Sequence, residues 1–142
     1  MTNSSTKDAT ESFFGDVIYS YSRAQAIEDG VLVDAGSMAQ EAGIKFPVAL
    51  TSAVWADCVA WTDDDSRKKP FQDQQGRLWD VLYMASHAIR TDRRSNDRLL
   101  FQLYRVAREG TATQAELVTL KLIVGPGDQG EPVITILLPD ED

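Results

Sequence analysis

The apolar residues of this chain change their spacing once, and that change limits the folds open to it. Over residues 73–91 they recur at the three- and four-residue spacing of an amphipathic helix. Residues 99–106, 117–124 and 132–138 are instead apolar, partly alternating segments that predict strands. Short connections between these strands favour an antiparallel meander. The order of elements predicts an α+β fold: a small, mainly antiparallel sheet, with a C-terminal three-stranded meander packed against two longer helices.

The second of these longer helices is predicted over residues 48–61. Pro47 suits the first turn of a helix, because its missing N–H needs no partner there. The residues that follow are apolar on nearly all sides, which is typical of a buried helix. Residues 62–70 are charged and predict a loop.

Two shorter helices are predicted before this point, over residues 22–29 and 37–42. Ser22 with Gln25, and Ser37 with Gln40, have the spacing of a capping box. A glycine, Gly30 or Gly43, follows each helix where a left-handed residue is favoured. A strand is predicted between them at residues 31–33, and another at residues 17–21.

The chain has 142 residues, a length that indicates one domain. Residues 1–12 are polar and lack apolar periodicity, so they predict a disordered tail before a single α+β domain at residues 13–142. There is one cysteine, no secretory signal pattern and no apolar run of membrane-spanning length. We therefore expect a cytoplasmic protein with no membrane association.

Charge is distributed unevenly along the chain, whose formal net charge is −8. Residues 67–108 carry 10 basic and 4 acidic side chains, whereas the segments on either side are strongly acidic. Because acidic side chains outnumber basic ones and repel phosphate groups, we do not expect direct binding to nucleic acid. The basic segment instead predicts a protein partner or a homodimer, with the last strand as an exposed sheet edge. The candidate partner-binding residues are Arg90, Arg93, Arg94, Arg98, Arg105 and Arg108.

No residue pattern is diagnostic of catalysis, and we predict no metal and no cofactor. His87 is the only histidine, and a metal site normally needs three or four converging ligands. Asp57 lies in an apolar segment, which favours a structural pairing with an arginine over a catalytic carboxylate. Cys58 is interpreted as a small buried apolar residue.

A further pattern is formed by four segments, at residues 16–34, 46–51, 54–59 and 76–82. Together they resemble an uncharacterised family of small proteins carried on bacterial plasmids and integrative elements, and the similarity covers roughly residues 15–138. The resemblance implies a bacterial cytoplasmic setting and an accessory role for a mobile genetic element. It implies no catalytic residues.

A second pattern lies near the N-terminus, where Tyr19 to Arg23 are followed by Ile27 to Leu32. This layout resembles the start of ADP-ribosyltransferase-like domains, which often open with a strand that bears a polar residue, followed by a short helix that ends in Gly-Leu. The usual His-x-Thr of those domains is absent from this sequence. The resemblance implies an NAD-dependent enzyme as the alternative function, with Tyr19, Arg23 and Asp57 as its candidate catalytic residues.

These observations favour a non-enzymatic, acidic accessory protein that acts by protein binding. A host defence protein and a regulated partner encoded by the same element are both open as targets.

Overall fold

A computed structural model gives the structure of the protein and describes residues 21–94 and 96–142. The chain divides into two compact units, residues 1–32 and 33–142. The tail predicted at residues 1–12 lies outside the described residues, as does all but the last residue of the strand predicted at 17–21. The assignment of residues 13–142 to a single domain stays a prediction.

In the first unit the described residues contain helix α1, Arg23–Glu28, as the sequence predicted. The Ser22 hydroxyl caps it by accepting a hydrogen bond from the Gln25 amide at 3.0 Å. The other half of the predicted capping box is missing, because the Gln25 side chain donates to Asp29 at 3.1 Å instead. Gly30 follows in the left-handed region, with φ of 80°.

The strands form one mixed, open five-stranded sheet in the order β1-β2-β5-β4-β3. The last three strands in the chain pair antiparallel in succession, which matches the predicted meander in part. Strand β2, however, pairs parallel with β5. The strands are β1 Leu32–Asp34, β2 Val48–Thr51, β3 Arg98–Val106, β4 Ala115–Pro126 and β5 Pro132–Leu137.

The prediction that the last strand forms a sheet edge is wrong. Strand β5 lies between β2 and β4, so both of its sides are paired. Among the described strands, β3 lies at one edge of the sheet and β1 at the other. The apolar run of β5 reflects burial in the sheet interior, where Ile134 and Ile136 are almost fully enclosed.

Only one long helix is described, rather than the predicted two. It is α5, Gln74–Thr91, which matches the amphipathic segment predicted at residues 73–91. Asp73 caps it by accepting from the Gly76 amide at 2.7 Å. The shorter helices of the second unit are α2 Met38–Glu41, α3 Ser52–Val54 and α4 Asp63–Lys68.

The predicted buried helix at residues 48–61 is wrong at both ends, because only residues 52–59 are helical. Residues 48–51 are strand β2, in which every residue is buried. A strand enclosed on both faces is apolar throughout, and periodicity alone does not separate it from a buried helix. Thr51 then caps α3, and a π-helical segment follows at Trp55–Val59.

The predicted loop at residues 62–70 is also wrong, because α4 occupies most of it. Thr62 and Asp65 form a complete capping box: the Thr62 hydroxyl accepts from the Asp65 amide, and the Asp65 carboxylate accepts from the Thr62 amide. Three acidic residues in the first turn and two basic residues in the last turn complement the helix dipole.

The core of the second unit lies between α5 and the sheet. Val81, Leu82 and Ala85 of α5 are fully buried. They share one apolar cluster with Leu103 of β3 and Leu120 of β4. Strand β3 therefore has one face toward α5 and the opposite face outward.

Candidate functional site

The outer edge of β3 carries backbone groups that β4 does not use. The Val124 amide donates to the Asp97 carbonyl at 2.8 Å, so these two opposed residues form a hydrogen-bonded pair. Opposed residues of an antiparallel pair alternate between bonded and non-bonded pairs. Given the observed register, Leu100, Gln102 and Tyr104 direct their amide and carbonyl groups away from β4.

The side chains of these residues form an apolar patch on the outer face. Leu100 is 65% exposed and Tyr104 is 66% exposed. Tyr104 lies directly opposite Leu117 of β4, which is 50% exposed. Gln102 lies between the two β3 residues, and its Nε2 donates to Thr119 Oγ1 at 3.4 Å. We call Leu100, Gln102, Tyr104 and Leu117 the β3 edge patch.

At the C-terminal end of β3, two buried or half-buried cations bind backbone carbonyl groups. Arg77 Nη1 donates to the Val106 carbonyl at 2.9 Å, so that outward-pointing group is already occupied. Lys69 Nζ donates to the carbonyls of Ala107 at 2.8 Å and Ala112 at 2.6 Å in the β3–β4 connection. Within residues 21–94 and 96–142, the part of this edge without a backbone partner therefore runs from Arg98 to Tyr104.

Asp57 pairs with Arg105 on the opposite, inner face of β3. Arg105 Nη2 lies 3.0 Å from Asp57 Oδ1, and the guanidinium also lies 3.8 Å from Glu116. The Arg105 side chain is 14% exposed, whereas that of Asp57 is 40% exposed. The arginine partner of Asp57 was expected, but the buried member of the pair is the cation rather than the carboxylate.

Cys58 lies beside this pair and is buried. Burial, followed by the negative charge of Asp57, raises the pKa of the thiol from 9.0 to about 11. Burial also raises the pKa of Asp80. A thiol with so high a pKa is protonated at neutral pH, which makes it a weak nucleophile.

The six candidate arginines have different surroundings. Arg93, Arg94 and Arg98 are exposed. Arg90 is exposed and donates to the hydroxyl of Ser86, a buried residue. Arg108 donates to Asp65 at 2.7 Å, and Arg105 is paired as described above. The exposed arginines therefore lie before or at the start of β3.

The alternative enzymatic site at Tyr19, Arg23 and Asp57 stays a prediction. Tyr19 lies outside the described residues, whereas Arg23 belongs to the first unit and Asp57 to the second. His87 is exposed on α5. Within residues 21–94 and 96–142, no three His, Cys, Asp or Glu side chains are grouped so that they could hold a metal ion.

A family model matches residues 10–142 of the chain. The chain belongs to DUF6573, a family of unknown function. This membership agrees with the resemblance to an uncharacterised family. No curated protein and no solved structure shows significant similarity to the chain. Among the described residues, no helix of this DUF6573 protein is both long enough and apolar enough to cross a membrane.

The sequence predicted the strand that carries the β3 edge patch, but it did not predict that this strand lies at a sheet edge. A signal for the patch was present, because Leu100, Gln102 and Tyr104 share one face of a strand. The sequence did not reveal the strand order, which places β3 rather than β5 at an edge of the sheet formed by the described strands.

Proposed function

We propose that this DUF6573 protein is a non-enzymatic accessory protein that acts by binding another protein through the open edge of β3. The observation that supports this proposal most directly is the coincidence of outward-pointing backbone groups with exposed apolar side chains at Leu100 and Tyr104. A partner segment that adds a strand to a sheet edge uses both features. The backbone hydrogen bonds give affinity, and the contacts of alternate side chains give specificity.

The charges around the edge favour a partner segment with acidic residues. Arg93, Arg94 and Arg98 are exposed next to the start of β3. Arg105 and Arg108 are paired within the chain and are not part of the proposed surface. Arginine is well suited to such contacts because its planar guanidinium binds carboxylates with two hydrogen bonds.

A second copy of the chain is the first occupant to test, because β3 is compatible with itself in antiparallel register. With Gln102 opposite its own copy, Leu100 of one protomer lies opposite Tyr104 of its partner. All of these residues direct backbone groups toward the new neighbour, and no arginine opposes an arginine. Apolar cross-strand pairs of this kind stabilise sheets.

The decisive variant is Gln102→Pro. Its amide points away from β4, so proline removes the donor for strand addition while the β3–β4 hydrogen bonds remain. We expect the wild-type protein to be dimeric by light scattering and Gln102→Pro to be monomeric with an unchanged fold by circular dichroism. Gln102→Thr, which keeps the amide, is the matched control and stays dimeric. A strictly monomeric wild-type mass at high protein concentration and low salt eliminates the second copy as occupant.

A foreign partner is tested with a photo-crosslinking residue at position 100 in cells that naturally carry the gene. Strand addition requires that crosslinking be lost when Gln102→Pro is added and be retained with Gln102→Thr. If a partner crosslinks equally well to the Gln102→Pro protein, it does not bind by strand addition at this edge.

The cellular setting that we propose is that of a mobile genetic element in the bacterial cytoplasm, with a host defence protein as one target class. Support for it comes only from the resemblance described above. If the protein serves such an element, deletion of its gene lowers the transfer or maintenance frequency of the element, and Gln102→Pro reproduces the deletion. Equal frequencies with and without the gene contradict this setting.

A further inference from the structure

A cavity of about 440 Å³ opens in the second unit, on the α5 side of the sheet and apart from the β3 edge patch. It lies between the segment that precedes β2, the C-terminal end of α5 and the start of β3. Its walls are mainly apolar: among the lining side chains Phe46 is exposed, and Ile89, Leu99 and Val124 are half-buried. Cavities of this size with mostly apolar walls are typical of small-molecule sites.

Charged side chains lie only at a few positions of this cavity, namely Arg90, Lys45 and Asp92. The two Asp92 carboxylate oxygens accept from the backbone amides of Arg94 and Asn96, each at 3.2 Å. Asp92 is thus already engaged in the turn that follows α5. The two cations leave the lining with a net positive charge.

Arg90 is held in place at the cavity wall. Its Nη1 donates to the hydroxyl of Ser86, which lies one helical turn earlier in α5 and is 1% exposed. Gly43, with φ of 96°, lies against the same guanidinium: a Cβ atom at this position would lie 3.5 Å from Nη1 and 3.2 Å from Ser86 Oγ. Among the described residues, the bond to Ser86 is the only hydrogen bond or ion pair of the Arg90 guanidinium. A guanidinium has five N–H donors, so most of them remain free for a ligand.

We propose that this cavity binds a small amphipathic carboxylate, with its apolar body against Phe46, Leu99 and Val124 and its carboxylate on Arg90. A guanidinium binds a carboxylate with two parallel hydrogen bonds, and burial of the ligand body removes apolar surface from water. Lys45 adds a second positive charge. The site uses neither the outer face of β3 nor its open edge.

The test is calorimetric titration of the full chain with decanoate and with naphthalene-1-acetate, which present the same carboxylate on an aliphatic and an aromatic body. We expect saturable binding of at least one probe. Arg90→Gln weakens that binding about tenfold or more, the loss expected for a charge-assisted pair. Arg67→Gln makes the same change in net charge at an exposed position of α4, outside both the cavity and the proposed β3 surface, and it leaves the affinity for the probe within about twofold.

A second variant tests the cavity itself. Val124→Phe places a larger side chain in the lining, so it abolishes binding of the probe while Arg90 remains intact. Decan-1-ol, which lacks the carboxylate, binds more weakly than decanoate and is insensitive to Arg90→Gln. Thermal unfolding confirms that each variant is folded, and a variant that fails this check is replaced by Val124→Leu or by Arg90→Lys. Absence of saturable binding of either acid, or equal affinities of wild type and Arg90→Gln, overturns the proposal.

Discussion

The Arg105 guanidinium lies 3.0 Å from the Asp57 carboxylate and joins edge strand β3 to the π-helical segment Trp55–Val59. The arginine is the more enclosed partner, and its Nε and Nη1 atoms are buried without a hydrogen bond. The Asp57 carboxylate is therefore the main group that balances the positive charge of Arg105, which is enclosed beneath the sheet edge.

Removal of Asp57 alone should destabilise the fold more than replacement of the arginine by an apolar residue. Asp57→Ala leaves a buried unpaired cation and is expected to cost about 2–3 kcal/mol, below the range for fully enclosed pairs because Asp57 is partly exposed. Arg105→Met should cost about 1 kcal/mol or less, since it removes the charge that needs compensation. Urea unfolding of both variants and of the double variant measures the coupling. Asp64→Ala, which breaks only exposed ion pairs, is the control, and an equal cost for Asp57→Ala and Asp64→Ala contradicts this prediction.

Cys58 should make the stability of the fold depend on pH under alkaline conditions. The folded-state pKa of about 11 lies above the ordinary value of 9.0, because burial disfavours the thiolate. The unfolded chain therefore releases the thiol proton first, so stability is fully present below pH 9 and is lost as pH rises toward 11. Cys58→Ala lacks this contribution, and its unfolding free energy should fall less over the same interval. Parallel slopes for the two proteins would falsify the assignment.

Arg77 should be among the most sensitive polar positions of the chain. It is 4% exposed, its guanidinium lies 4.5 Å from the centre of the Trp61 ring, and it donates to the carbonyls of Val59 and Val106. Arg77→Ala removes these contacts and leaves buried carbonyls unsatisfied, for an expected cost of about 3 kcal/mol or more. The matched control is Arg67→Ala, at an exposed position of α4, which should change stability by about 0.5 kcal/mol at most. Thermal unfolding distinguishes the two outcomes.

Lys69 should control the mobility of the β3–β4 connection. Its ammonium group donates to the carbonyls of Ala107, Glu109 and Ala112. Lys69→Met keeps the apolar stem but removes these bonds, so amide hydrogen exchange should accelerate over residues 107–114 while α5 stays protected. Lys68→Met is the control, because Lys68 is exposed and pairs only with Asp64 at the surface. Unchanged exchange in Lys69→Met shows that the connection is ordered by other contacts.

Local patterns were sufficient wherever neighbouring residues decide the structure. The apolar spacing of residues 73–91 predicted α5, and Asp73 at its start supplies the cap. The alternation in Leu117 to Val124 similarly identified β4. Both elements have one apolar face and one polar face, so their periodicity is visible in the sequence.

Enclosed elements were the main source of error. Strand β2 is buried on both faces, and the apolar run from Val48 to Trp61 therefore resembled one long helix. The capping box of Thr62 and Asp65, by contrast, was present in the sequence, but the density of charge around it favoured a loop.

The sequence by itself determined the α+β class, the long amphipathic helix, the three C-terminal strands and the uneven charge, because each depends on residues that are close along the chain. Tertiary structure decided which strand lies at an edge, which arginine pairs with Asp57 and where a cavity opens. Each of these depends on contacts between distant residues: β5 inserts between β2 and β4, and this order places β3 at one edge among the described strands. Local propensity does not predict strand order, because interior strands and edge strands have the same backbone conformation.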